Sequence, residues 1–123
     1  MIAGIGCDIT GCARIRAAAE KHGQAFLDHL LTPREQAESH GKISYYAGRW
    51  AAKEALSKAL GCGIGARCAF TDIEIIDNEA GKPEVKLAGA AELTAKRLGA
   101  DRIHLSISHE RHYAVATVIL ETA

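Results

Sequence analysis

The sequence predicts an α+β domain, with a mostly antiparallel sheet packed against one long central helix. Three observations carry that prediction. Residues 71–87 and 102–121 each read as two strands joined by a turn. Residues 43–60 form one long alanine-rich helical stretch. The order of elements is a strand, several helices, a hairpin, a helix and a second hairpin.

Each element has its own signal. "IAGIGCDI" (2–9) is apolar with two glycines and reads as a first strand ending near Asp8. "CARIRAAAEKHG" (12–23) suits a helix stopped by Gly23. "TPRE" (32–35) is a helix start, with Thr32 as N-cap, Pro33 at the first helical position and Glu35 closing a capping box. "ISYYAGRWAAKEALSKAL" (43–60) is the long helix, ended by Gly61. In the first hairpin Ile73 and Ile75, with Val85 and Leu87, are expected inside, and Asn78-Glu79-Ala80-Gly81 makes the turn. "GAAELTAKRLG" (89–99) is a further helix, and the second hairpin turns at Glu110-Arg111-His112. There is no linker, repeat or low-complexity segment, so residues 1–123 are expected to form one domain.

Composition narrows the function classes. Hydrophobic residues make up 48% and charged residues 24%, enough for an ordinary core. Formal net charge is zero, which argues against broad binding to nucleic acid or anionic lipid but leaves room for a local basic patch. No apolar run approaches the roughly 18–20 residues of a membrane span, and the N-terminus lacks the basic region of a secretory signal. Cys7, Cys12, Cys62 and Cys68 form no C-x-x-C pair and match no zinc spacing. They read as reduced thiols of a cytoplasmic protein.

The chemistry concentrates in "RWAAKEALSKALGCGIG" (49–65). With about 100° per residue, Glu54 and Lys58 share one face, with Ala47 and Ala51 beside them. Tyr45, Ala52, Leu56 and Leu60 lie nearly opposite, and Arg49 and Lys53 fall on that second side. The small alanines would let the helix lie close to another backbone. Two readings fit the Glu54–Lys58 pair: an exposed i, i+4 ion pair, or part of a phosphate site. Gly61, Gly63 and Gly65 follow directly, and glycine permits positive φ and close approach of backbone amides to a phosphate. The loop follows its helix and lacks G-x-x-x-x-G-K-[ST], so neither a dinucleotide fingerprint nor a P-loop applies. Asp8 either caps the next helix or joins a distant Glu in holding magnesium, which takes few carboxylates. His109, at a strand end, is either a surface residue or a group that binds an anion or moves a proton.

Taken together these pieces resemble the holo-[acyl-carrier-protein] synthases, the small trimeric class of 4'-phosphopantetheinyl transferases. The matching stretches are "GIGCDI" (4–9), "LLTPREQA" (30–37), "GRWAAKEALSKALGCGIG" (48–65), "DIEIIDNEAGKP" (72–83) and "LSISHERHYAVATVI" (105–119), essentially the whole chain. The resemblance implies the 4'-phosphopantetheinyl transferase-like fold. It implies transfer of phosphopantetheine from coenzyme A to a serine of apo-acyl carrier protein, with magnesium, releasing 3',5'-ADP in support of fatty acid biosynthesis. It casts Asp8 and Glu54 as metal ligands and Lys58 as the pyrophosphate cation. Gly61, Gly63 and Gly65, with Lys82, Pro83 and His109, would lie near the coenzyme. The proton acceptor is Glu54, a metal-associated water or His109. Arg14, otherwise a solvated helix charge, resembles a residue that docks the acidic carrier, and Lys21 lies on the same helix face, with Arg16 early in the helix.

The resemblance further implies a homotrimer with active sites between protomers. The expected division has Asp8 from one protomer and Glu54 and Lys58 from its neighbour. Position 11 is Gly where the family often carries an acid, so no metal role falls there, and the family varies at the position of Glu110. Two other classes fit parts of the pattern: a non-catalytic coenzyme A or nucleotide-binding oligomer, and another magnesium-dependent phosphotransferase. Retention of Asp8, Glu54 and Lys58 together speaks against the first.

Overall fold

The structure, a computed structural model, describes all residues from Met1 to Ala123. Its spine is α4 (Ile43–Ala59), the predicted long helix. A three-stranded antiparallel sheet packs on it in the order β1 (Ile2–Gly11), β5 (Tyr113–Glu121), β4 (Arg102–His109). A separate antiparallel hairpin, β2 (Ile73–Asp77) with β3 (Pro83–Leu87), stands beside β4. The remaining helices are α1 (Cys12–His22), α2 (Gln24–Leu30), α3 (Pro33–Ser39) and α5 (Gly89–Arg97). The α+β class and the antiparallel pairing agree with the sequence reading, although the strands divide between two sheets.

The sheet lies unusually close to α4 because both surfaces are made of small residues. A Cβ added at Gly4 would overlap the Ala59 carbonyl oxygen, and one at Gly6 the Ala55 carbonyl oxygen. Glycine in a strand often marks such close backbone approach. Ala51, Ala52, Ala55, Leu56, Ala59 and Leu60 are all buried, so α4 is covered on most of its circumference. Ile73 and Ile75 are buried as expected, while Val85 and Leu87 are half-buried.

The capping box at α3 is present in full. Thr32 Oγ1 accepts from the Glu35 amide at 3.3 Å, and Glu35 Oε1 accepts from the Thr32 amide at 2.9 Å. The first hairpin turns through Gly81 at φ 84°, with Asn78 Oδ1 accepting from the amides of Ala80 and Lys82.

Two elements depart from the sequence reading. β1 runs on to Gly11, so Asp8 lies inside the strand opposite Ala116 and caps nothing. The N-cap of α1 is Gly11, which has no side chain to bond the first turn. The second departure is α2, which carries no start signal. Its N-cap is Gly23, at φ 53°, and burial of Phe26 and Leu30 holds it.

Candidate active site

Only a narrow strip of α4 beyond its first turn is less than fully buried: Trp50 and Glu54, half-buried, and Lys58, exposed, spaced four residues apart. Asp8 reaches this strip from β1. Side chains alternate along a strand, so Gly4, Gly6, Asp8 and Thr10 all face α4. The two glycines bring the strand close, and Asp8 is the next residue on that face.

Asp8 is engaged on both oxygens. Lys58 Nζ donates to Oδ1 at 3.0 Å and to the Cys7 carbonyl at 3.1 Å. Thr10 Oγ1, buried, donates to Oδ2 at 2.8 Å. Glu54 stands differently. Burial first, then the Asp8 charge, push its carboxyl above the usual carboxylate range, while Lys58 and Arg14 pull it back. Arg14 also places its guanidinium 5.3 Å from the centroid of the Trp50 ring, which stacks against Phe26 and tilts against Phe70.

These contacts lie within one chain. The expectation that Asp8 would meet a neighbour's Glu54 and Lys58 is therefore corrected: the close packing of β1 on α4 brings all three together in a single protomer.

The glycine loop also differs in detail. Gly61 and Gly63 have positive φ. The amides of Gly61, Gly63 and Gly65 donate to Lys58, Ser57 and Cys68 carbonyls respectively, at 2.9, 3.2 and 3.0 Å. All three are thus already partnered; what the glycines add beside Lys58 is turn geometry and a surface free of side chains.

Lys82, Pro83 and His109 do not join this cluster in one chain. Lys82 and Pro83 line a cleft of about 240 Å³ between β3 and β4, with Ile103, His104 and Leu105. His109 ends β4, and β4 is the sheet edge opposite β1. Arg14 and Lys21 are both exposed on α1.

Asp8 and Glu54 fit magnesium. Two carboxylates are close enough for one charge to raise the other, and Glu54 has no hydrogen-bonding partner that stabilises its charge. No cluster of three or more His, Cys, Asp or Glu side chains forms a closed metal cage. Magnesium suits such a site, because it commonly takes one or two carboxylates and leaves other positions to water and phosphate.

The decisive comparison is with a family model, the 4'-phosphopantetheinyl transferase superfamily, which matches residues 4–118. The chain belongs to this family. A holo-[acyl-carrier-protein] synthase of Vibrio parahaemolyticus is 45% identical over 126 residues, covering 98% of each chain. The Neisseria meningitidis synthase structure superposes with a TM-score of 0.91 at 41% identity, covering 99% of this chain and 100% of that one. The Bacillus anthracis synthase, solved in complex with CoA (3',5'-ADP), gives a TM-score of 0.84 at 38% identity, covering 100% and 99%. The phosphopantetheinyl transferase assignment makes this an enzyme of the holo-[acyl-carrier-protein] synthase type.

Sequence reasoning missed four contributors to the site. Thr10 was legible by its spacing of two from Asp8, which puts both on one strand face. Trp50 was legible by its spacing of four from Glu54. Gly4 and Gly6 carried the signal of close backbone approach, and only the partner surface was unknown.

Proposed function

We propose that this protein transfers the 4'-phosphopantetheine group of coenzyme A to a serine hydroxyl of apo-acyl carrier protein, in a magnesium-dependent reaction that releases 3',5'-ADP. The observation that carries this reading is the convergence of Asp8, Glu54 and Lys58 on the open strip of α4, beside the glycine loop. A family relative binds coenzyme A, which supports the same substrate here.

Asp8 and Glu54 would hold the magnesium ion; when bound, it offsets pyrophosphate charge and polarises the phosphorus under attack. Lys58 supplies a positive charge to the same pyrophosphate. The carrier serine oxygen bonds to the phosphorus that bears pantetheine, and the bond from that phosphorus to the bridging oxygen breaks. The electron pair leaves with 3',5'-ADP. The serine proton would pass to Glu54, to a water held at the site or to a neighbour's His109. Most of the remaining catalysis is positioning and electrostatics.

The carrier would dock on α1 through Arg14 and Lys21. Arg14, over Trp50, stands close enough to Glu54 for its charge to be felt there. We further propose a homotrimer in which a neighbour contributes Lys82, Pro83 and His109. Two observations support it: these residues lie away from Asp8 in their own chain, and the outer sheet face is uncovered. On that face Ile5 pairs with Ile119 and Ile9 with Val115, and Ile5 and Ile9 are about two-thirds exposed. All four cysteines are free, and no helix is long and apolar enough to cross a membrane. The free thiols, as in a reducing compartment, and the coenzyme A substrate are the grounds on which we assign the protein to the cytoplasm and to fatty acid biosynthesis.

The test is to incubate the protein with coenzyme A, magnesium and apo-carrier and weigh the carrier. Wild type should add one phosphopantetheine, and Asp8→Ala or Glu54→Ala should stay folded and add none. Full transfer by either variant would refute the metal assignment, and an active monomer in sedimentation would refute the trimer.

A further inference from the structure

Asp8, the carboxylate assigned to the metal, already carries one donor on each oxygen, and one of the two is a cation. Lys58 Nζ occupies Oδ1 at 3.0 Å and Thr10 Oγ1 occupies Oδ2 at 2.8 Å. A cation that arrives alone meets an ammonium already bonded to its ligand. The two blocking groups differ in mobility. Thr10 is buried in β1, on a short side chain. Lys58 is half exposed, its side chain 51% accessible against 16% for Asp8, on a flexible four-carbon stem in the last turn of α4. If either donor yields, it is Lys58.

What would draw it away is an anion. The ammonium's two protein partners are the Asp8 carboxylate and a neutral carbonyl, that of Cys7. The coenzyme's pyrophosphate carries two negative charges against the carboxylate's one, and the Lys58 side chain is exposed enough to turn toward it. We propose that Lys58 is a removable guard on Asp8: it holds the metal carboxylate until coenzyme phosphate claims the ammonium, so divalent cation and phosphate load the site cooperatively. This rests on the assignment of Asp8 as a metal ligand and adds an order to it. The exchange conserves charge pairing at each stage. Before loading, Lys58 pairs with Asp8; after loading, Lys58 pairs with phosphate and the cation with Asp8.

Linkage makes the idea measurable, because phosphate must tighten cation binding by the factor that cation tightens phosphate binding. The guard's share is set by the strength of the pair it breaks. A part-exposed ion pair shifts an equilibrium by up to about fivefold.

The experiment is a titration of the full chain with Mn2+, standing in for magnesium, with free ion counted by electron paramagnetic resonance. It is run with and without saturating 3',5'-ADP. Lys58→Met should bind Mn2+ alone about three- to fivefold more tightly than wild type. The tightening produced by 3',5'-ADP should shrink by the same factor. Lys58→Gln repeats the test with a polar end should Met disturb the fold. Arg14→Met is the control for charge alone: its charge reaches Glu54, yet it makes no bond to Asp8. It should change Mn2+ affinity less than twofold. Wild-type affinity in Lys58→Met overturns the guard. So does an equal gain in Arg14→Met, which would mean that any lost positive charge suffices. Asp8→Asn separates the two levels of the idea. If it binds Mn2+ as wild type does, the metal assignment itself falls, and the guard with it.

Discussion

Lys53 and Lys58 sit little more than a turn apart on α4, and each meets one carboxylate. Lys53 and Glu35 are both fully buried, their charged atoms 2.7 Å apart. Lys53 also donates to the Leu30 carbonyl at 2.7 Å, and Glu35 accepts from the amides of Thr32 and Ile75, each at 2.9 Å. One carboxylate thus caps α3, fastens β2 and pairs with α4. Burial pulls the Lys53 ammonium below the usual lysine range, and Glu35 opposes that shift. Arg49, on the same side, is tied to Glu38 at 2.9 Å and Asp77 at 3.1 Å. Lys58 pairs with Asp8 in a smaller network, completed by the Cys7 carbonyl and Thr10, that solvent reaches from the lysine side. On one side of the helix charge is saturated and fixed; on the other it is left available. A charged pair that can be reached and rearranged is what a phosphate site needs, and the closed side holds it in place.

The comparison breaks most visibly at Lys53. Lys53→Met leaves the Glu35 carboxylate buried without its counter-charge, which costs about 3–5 kcal/mol. Urea unfolding should show that loss. Adding Glu35→Gln should recover part of it, because the uncompensated charge is gone while one acceptor remains. A Lys53→Met protein with wild-type stability would place that lysine in the same class as Lys58.

Gly6 tests how the two sides are coupled through β1. An alanine there would strike the Ala55 carbonyl oxygen, and helix backbone cannot move aside as a side chain can. The strand must shift, and Asp8 shifts with it. Gly6→Ala should cost about 1–3 kcal/mol in unfolding free energy. A displacement near 1 Å at the site should lower kcat/KM by about 100-fold. Gly11→Ala is the contrast, since nothing lies within 4 Å of an added Cβ there; it should cost no more than about 1 kcal/mol, the preference for Gly over Ala at the N-cap of α1. Equal effects at the two glycines would show that close packing of β1 does not position Asp8.

Much of this was written locally in the chain. The Thr32–Glu35 capping box, the hairpin turn at Asn78–Gly81 and the shared face of Glu54 and Lys58 all follow from spacings of a few residues. Which lysine is buried did not follow. Alanine suits both a covered and an open helix face, so the α4 pattern marks its sides without saying which is enclosed. The partners of Lys53, at Leu30 and Glu35, are far away in sequence, and no local rule pairs them. α2 lacks a capping side chain and is held only by tertiary burial. Asp8 in one chain with Lys58 depends on two glycines meeting two alanine carbonyls, a fit that exists only once strand and helix are docked. Lys82, Pro83 and His109 share a family motif set with Asp8 but not its edge of the sheet.

The smallest effect on stability is expected at Glu54, and its sign is informative. Burial and the Asp8 charge hold this carboxyl above its usual range, so the folded chain binds the proton more tightly than the unfolded chain. Ionising it draws stability from the fold as pH rises from the ordinary carboxylate range through the raised value. Glu54→Gln removes that loss while keeping the shape of the side chain. The metal-free variant should melt at the wild-type temperature or slightly above it at neutral pH, and the difference should vanish in acid, where both side chains are neutral. Its transfer activity should be absent. A residue whose neutral isostere leaves the fold intact or improves it, while abolishing turnover, is held in place for chemistry. A clear drop in melting temperature would instead make Glu54 a structural partner like Glu35, and the two sides of α4 would no longer differ in kind.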